Sequence, residues 1–350
     1  MFSPPPLPRS LEASFRDLAS DKAATRASAV RDVVRHALES DATRARAIPQ
    51  LEHALQADGA PEVRAEAAVA LADVVAHEAL PVLLVAIEDD DPHVRQMALS
   101  ALGEIGDARA TSRIERALRD ARPEVRYQAV IAFARVARDT PAAVAAAVLR
   151  ALDDTDAAIR YIAMRVAEER VAADGPSSAV PGIDARAESL LDGLDPALAV
   201  VAGIYLARLG RPEGRAVVLD VVAEARSTPE LEDEQACVEL AGDLLMTEAI
   251  GHLERRAWGA RRVLRSVLSW GAGDHASCAW HARIALARLG HDRARAEILG
   301  DLSSRRRERR EAAVVAAGRA RISEARAVLE TLGESVDAAL VREALVRLAV

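Results

Sequence analysis

Asp91-Pro-His-Val-Arg-Gln-Met-Ala-Leu-Ser-Ala-Leu-Gly-Glu-Ile-Gly-Asp107 decides how this chain is built. Pro92 suits a first helical turn, where a missing N–H costs nothing, and Asp91 is placed to cap it. Val94, Ala98, Ala101, Leu102 and Ile105 then recur at the spacing of one buried helix face. Gly106 ends the helix. A second amphipathic run, Ala108 to Leu118, buries Ile114 and Leu118. Neither helix alone carries enough apolar surface to stay folded, so the core must come from stacked neighbours.

The neighbours are in the sequence. Asp58-Gly-Ala-Pro-Glu-Val-Arg64, Asp91-Pro-His-Val-Arg95, Arg122-Pro-Glu-Val-Arg126 and Asp156-Ala-Ala-Ile-Arg160 restate one helix start, with arginines 31, 31 and 34 residues apart. Leu102-Gly-Glu-Ile-Gly106, Leu206-Ala-Arg-Leu-Gly210 and Leu286-Ala-Arg-Leu-Gly290 restate one helix end. Each unit reads as helix, turn, helix. The expected fold is all-α, a right-handed, elongated and curved α-solenoid of antiparallel helix pairs over residues 11–350, behind a flexible proline-rich arm at 1–10. Two long steps interrupt the rhythm. One insertion lies near 173–184, rich in turn formers, and one near 258–274, an extra apolar and basic helix followed by Gly271-Ala-Gly273.

Composition agrees. About half of the 350 residues are apolar but only 3% are aromatic, and alanine, the best helix former, dominates. The formal charge of −8 argues against general coating of nucleic acid. It is unevenly spread: residues 248–310 carry 14 Arg against 7 acidic residues, while the first 247 carry 27 cations against 41 acids. Lys22 is the only lysine, which we read as the coding bias of a GC-rich bacterial genome. Two cysteines make no disulfide framework. The N-terminus has no signal-peptide pattern, and no run is apolar enough for a membrane span, so the expected compartment is the cytoplasm.

The Asp/Pro-x-Val-Arg turn and its period resemble the HEAT repeat, in the variant found in phycobilin lyases and many bacterial proteins. The resemblance covers roughly residues 20–350. It implies that Asp91 and the arginines Arg64, Arg95, Arg126, Arg160 and, through Leu340-Val-Arg342, Arg342 form a structural ladder between repeats. It also implies that the Val-Arg helices line the concave side.

Other residues carry functional expectations. Tyr127 and Tyr161 occupy one slot in successive repeats, and Trp280 takes it by alignment. With Met164 and Arg283 beside them they form a candidate partner-binding shelf, since Tyr, Trp, Met and Arg are enriched at recognition surfaces. The run Arg305, Arg306, Arg307, Arg309 and Arg310 is a candidate anion-binding face. His275, Cys278 and His281, three apart on a helix, are the one candidate for a metal or a Cys–His nucleophile. The repeat alignment opposes it, because positions 278 and 281 match the core positions Val94 and Met97. No catalytic residue and no cofactor are expected. The leading function is a non-catalytic scaffold or adaptor that grips a helical or extended segment of a protein partner in its concave groove. A bilin-lyase-like enzyme or enzyme subunit is the first alternative, implied by the resemblance. Nucleic-acid binding through 248–310 is the second.

Overall fold

The structure is a computed structural model that describes residues 9–179, 181–259 and 273–349. Among them there is helix and no strand. Contacts group the chain into two compact units, Met1–Asp184 and Ala185–Val350.

In the first unit the helices Ala23–Ala37, Pro61–Asp73, Pro92–Ile105, Pro123–Val136 and Ala157–Asp174 pack side by side in chain order. We call these the first helices of their repeats. The second helices, Asp41–Ala57, Leu80–Ala86, Thr111–Ala117 and Pro141–Leu152, each pack against the first helix of the following repeat. Val63, Val94, Val125 and Ile159 hold one position in four successive first helices, and all are fully buried. Leu71, Leu102, Phe133 and Ala167, two turns on, repeat the pattern. The sequence period and the core are therefore one fact.

The second unit repeats the plan. Its first helices are Pro196–Arg208, Leu231–Asp243, Gly273–Arg288, Arg307–Arg319 and Ala338–Arg347. Its second helices are Pro212–Val222, Ile250–Trp258, Asp292–Asp301 and Arg326–Leu329. Close approach between successive first helices depends on small residues. A Cβ on Gly242 would stand 2.7 Å from the Ala285 Cα, and one on Gly318 2.7 Å from the Ala344 Cα. Both glycines lie three residues before the left-handed residue that ends their helix, Leu245 and Arg321.

The two irregular segments differ. After Gly175, the 173–184 insertion forms a short turn at Pro176–Ser178, tied back where Ser178 Oγ donates to the Arg170 carbonyl at 3.0 Å. The expected extra helix at 260–270 lies outside the described residues, as does most of the expected arm. The arm's last two residues belong to the fold. Arg9 bonds Asp17, Ser28 and Asp32, and Ser10 caps the helix Leu11–Asp17.

Candidate functional site

The repeated arginine is the fourth residue of its helix. Arg26, Arg64, Arg95 and Arg126 each fork onto a carboxylate of the next repeat, Asp58, Asp89, Asp120 and Asp154, through two N–H···O bonds of 2.6–3.1 Å. The remaining Nη1 of each, and of Arg160, donates to the carbonyl six residues back, at 2.7–2.9 Å. From Arg64 to Arg160, that carbonyl belongs to the aspartate held by the preceding arginine. Each of these aspartates also accepts the backbone N–H two residues on, at 2.9 Å.

This geometry corrects two expected members of the ladder. Asp91 caps its own helix by accepting the His93 and Val94 N–H groups, and Asp89 is the rung. Arg342 is the fifth residue of its helix, so it is out of register; it is exposed and has no ion pair among the described residues. The ladder position in the second unit is instead taken by Arg310. It donates to the Ser304 carbonyl at 2.7 Å and the Ser335 carbonyl at 2.8 Å, and its buried Nε has no partner.

Arg310 is thereby withdrawn from the candidate anion-binding run. Arg307 pairs with Glu311 at 2.8 Å and Arg309 with Asp301 at 2.9 Å. Arg305 and Arg306 are exposed and have no ion pair among the described residues.

The candidate shelf divides. Tyr127 and Tyr161 are half-buried. Met164 is fully buried beside Ala163 and Ala167, so it belongs to the core and not to an open face. Ile131, Arg135 and Arg138 continue the face of Tyr127 by helical spacing. With Ile162, Val166 and Glu169 of the next first helix they line an open groove of about 580 Å³. Its floor is aliphatic and its rim is charged.

In the second unit Trp280 is half-buried against the core, edge-on to His281 with centroids 5.0 Å apart. The Arg319 guanidinium lies 5.6 Å from its ring. Arg283 stands 3.8 Å from Glu297. Trp258 donates to the same Glu297 at 3.1 Å and carries Arg293 over its face at 4.0 Å. These rings serve internal contacts, and Trp270 lies outside the described residues. Cys278 is buried. His281 pairs through Nδ1 with Glu239, while the His275 side chain lies outside the described residues. Among the described residues no group of three His, Cys, Asp or Glu is arranged to hold a metal ion.

A charged cluster that the sequence reading did not single out surrounds Glu239. Its Oε1 meets His281 and also accepts from Arg319 Nη1 at 2.6 Å. Burial pushes the Glu239 carboxyl up, but the His281 bond and the Arg319 charge outweigh it and hold it below the usual range. One turn on, burial pushes Asp243 above its usual range despite Arg288 at 2.5 Å. Glu239, Asp243, Arg288 and Arg319 line an open groove of about 400 Å³ with Arg321 and Arg347. The signal for it was the helix-end signature: Arg208, Asp243, Arg288, Arg319 and Arg347 are each the last residue of a first helix.

Residues 48–132 match the family of HEAT repeats. No curated protein matches the chain. Among solved structures, the complex of CpcE and CpcF of phycocyanin lyase from Nostoc sp. PCC7120 is 18% identical, covering 72% of this chain and 95% of that one, with a TM-score of 0.44. Kap121p bound to Ste12p is 13% identical with a TM-score of 0.50; the match covers 97% of this chain but 41% of Kap121p. Kap121p bound to Pho4p is 13% identical, covering 95% and 40%, also with a TM-score of 0.50. The likeness to Kap121p is of fold alone. No helix among the described residues is long and apolar enough to cross a membrane.

Proposed function

We propose that this chain, a HEAT-repeat solenoid, is a non-catalytic cytoplasmic scaffold that takes a helical or extended segment of a protein partner along the first helices of its first unit. The observation that carries the reading is the open groove of about 580 Å³ continuing the face of Tyr127, with Ile131, Ile162 and Val166 as floor and Arg135, Arg138 and Glu169 at the rim. An aliphatic floor with a charged rim is the layout of protein recognition surfaces. Kap121p, which shares the fold, is bound to Ste12p in its solved structure, and this supports a binding role for the same architecture here. Nucleic acid is the weaker reading, because Arg307, Arg309 and Arg310 are spent on Glu311, Asp301 and two carbonyls.

The test compares the wild-type chain with a Tyr127→Ala, Ile131→Glu double variant as bait in extract of the source organism, read by mass spectrometry. The expected result is one partner lost from the variant at unchanged helicity by circular dichroism. The loss corresponds to roughly 2–4 kcal/mol where both residues are hot spots. The same captured set from both baits would overturn the reading.

A further inference from the structure

We propose that the groove in the second unit is a binding site for an acidic peptide segment in extended conformation, with carboxylates at every third residue. The inference rests on reading the chain as a partner-binding scaffold, but not on the groove beside Tyr127.

The argument begins with charge. Arg288, Arg319, Arg321 and Arg347 line this groove against two carboxylates, Glu239 and Asp243. The surplus is positive in a chain whose formal charge is −8. Two of the guanidiniums are committed inward. Arg288 pairs with Asp243, and Arg319 pairs with Glu239 and lies beside Trp280. They bring the internal balance to neutral and fix the groove wall. Arg321 is exposed and has no ion pair among the described residues, and Arg347 reaches only the exposed Glu343 on its own helix. Arginine at a helix C-terminus also favours the helix dipole, worth about 0.3–1 kcal/mol when exposed. That effect explains one arginine per helix, but it does not explain Arg321, which lies beyond its helix end in the left-handed region at φ 53°.

Spacing then selects the ligand. The two guanidiniums left to a ligand, Arg321 and Arg347, stand at the ends of two successive first helices. Packed helices stand about 8–10 Å apart. A segment extended in the polyproline II conformation rises about 3.1 Å per residue with three residues per turn, so carboxylates three residues apart fall on one face about 9 Å apart and keep step with these two guanidiniums. A guanidinium accepts a carboxylate through two parallel bonds, which orients the segment. The exposed Val346 side chain in the same groove offers apolar contact to residues between the acids.

The experiment is fluorescence anisotropy of the purified full chain with a labelled peptide of four glutamate-serine-glycine triplets. The comparison probes are a peptide with the same residues but its glutamates contiguous, a lysine-serine-glycine peptide, and single-stranded oligothymidylate. The expected result is saturable, salt-sensitive binding of the spaced acidic peptide ahead of all three. An Arg321→Asn, Arg347→Gln double variant should weaken it roughly tenfold, and Arg305→Gln, outside the groove, should not. The Tyr127→Ala, Ile131→Glu variant should bind the peptide as the wild type does, which keeps this test separate from the one above. The proposal is overturned by no binding up to about 1 mM. It is also overturned by equal affinity for the contiguous-glutamate or lysine peptide, by tighter binding of oligothymidylate, or by an unchanged affinity in the Arg321, Arg347 variant.

Discussion

Arg319 Nη1 donates to Glu239 Oε1 at 2.6 Å across 80 residues of sequence. The helix Gly273–Arg288 stands between their two helices in chain order, and its His281 meets the same oxygen. One carboxylate thus ties three successive repeats together, where the core contacts mostly join nearest neighbours. Glu239→Gln keeps the volume and removes the charge. The expected loss is about 1–3 kcal/mol, the range for a hydrogen bond to a charged group in a partly buried site. Urea titration with far-UV circular dichroism reads it, and an unchanged midpoint would mean that the cluster adds nothing to stability.

The ladder predicts a contrast between two arginines on the two helices of one repeat. Arg95 is 15% exposed in its side chain and forks onto Asp120, whereas Arg116 is 67% exposed and stands 3.7 Å from Glu88. Arg95→Ala leaves a sheltered carboxylate and the Asp89 carbonyl without their donor. It should cost about 2 kcal/mol, and Arg116→Ala no more than about 0.5 kcal/mol. Equal effects in thermal unfolding would refute the structural role of the rung.

The repeat length, the helix ends and the buried stripe were legible because each depends on residues close in sequence. The ladder's carboxylate was not. Asp89, Asp90 and Asp91 are consecutive, and only the reach of Arg64 from the preceding repeat selects Asp89 while Asp91 turns inward to cap. Met164 lies one turn after Tyr161, and that spacing alone places it on the same open face. The first helix is covered on two sides, however, so its buried stripe is wide enough to take in residues 163, 164 and 167. His281 was legible as a packed histidine, but its partner Glu239 is 42 residues away and no local pattern encodes that pairing.

Acid should weaken the ladder. The Arg26 and Arg126 guanidiniums hold Asp58 and Asp154 below the usual carboxylate range; at Asp89 burial opposes, and the Arg64 bond, the Asp91 N–H and the charges of Arg64 and Arg95 together outweigh it. A depressed folded-state pKa gives stability that is complete above the unfolded value, about 3.9, and is lost as pH falls through the folded one. Asp73 and Asp243, which burial pushes up, act with the opposite sign. Below about pH 4 the wild type should therefore lose stability more steeply than an Asp89→Asn, Asp154→Asn variant, though the variant starts lower. Urea midpoints measured from neutral to acid pH check it, and parallel curves would contradict the assignment.

The close-packed glycines make a steric prediction. Alanine at Gly242 or Gly318 places its Cβ 2.7 Å from a backbone Cα in the next repeat, which cannot rotate away. Either substitution should destabilise by roughly 1–3 kcal/mol. Gly300, where nothing lies within 4 Å, is the control, and alanine there should be neutral or mildly stabilising. Thermal melts of the three variants decide it; no loss at Gly242 and Gly318 would mean that the helices are more loosely packed than described.

The helix ends offer a gain. In three repeats a glycine one or two residues past the first helix lies in the left-handed region: Gly106, Gly210 and Gly290. In three others the same turn is made by Val75, Leu245 and Arg321, at φ 50°, 50° and 53°. Apart from Gly106, whose own N–H returns to the Leu102 carbonyl, the backbone bonds are alike. The N–H after the left-handed residue returns to the carbonyl five residues back, as Ala76 to Leu71, Met246 to Ala241 and His291 to Leu286. A left-handed L-residue costs about 1–2 kcal/mol, against about 0.5–1 kcal/mol for the chain entropy that glycine loses on folding. Val75 and Leu245 are 54% and 62% exposed, so their side chains contribute little packing in return. Val75→Gly and Leu245→Gly should each stabilise by about 0.5–1 kcal/mol. Val75 should gain more, because a β-branched side chain tolerates the region least. The reverse change, Gly106→Ala at φ 70° or Gly290→Ala at φ 82°, should cost about 1 kcal/mol. If Val75→Gly lowers the unfolding midpoint while Gly106→Ala leaves it unchanged, strain at these turns is not what separates the two classes of repeat.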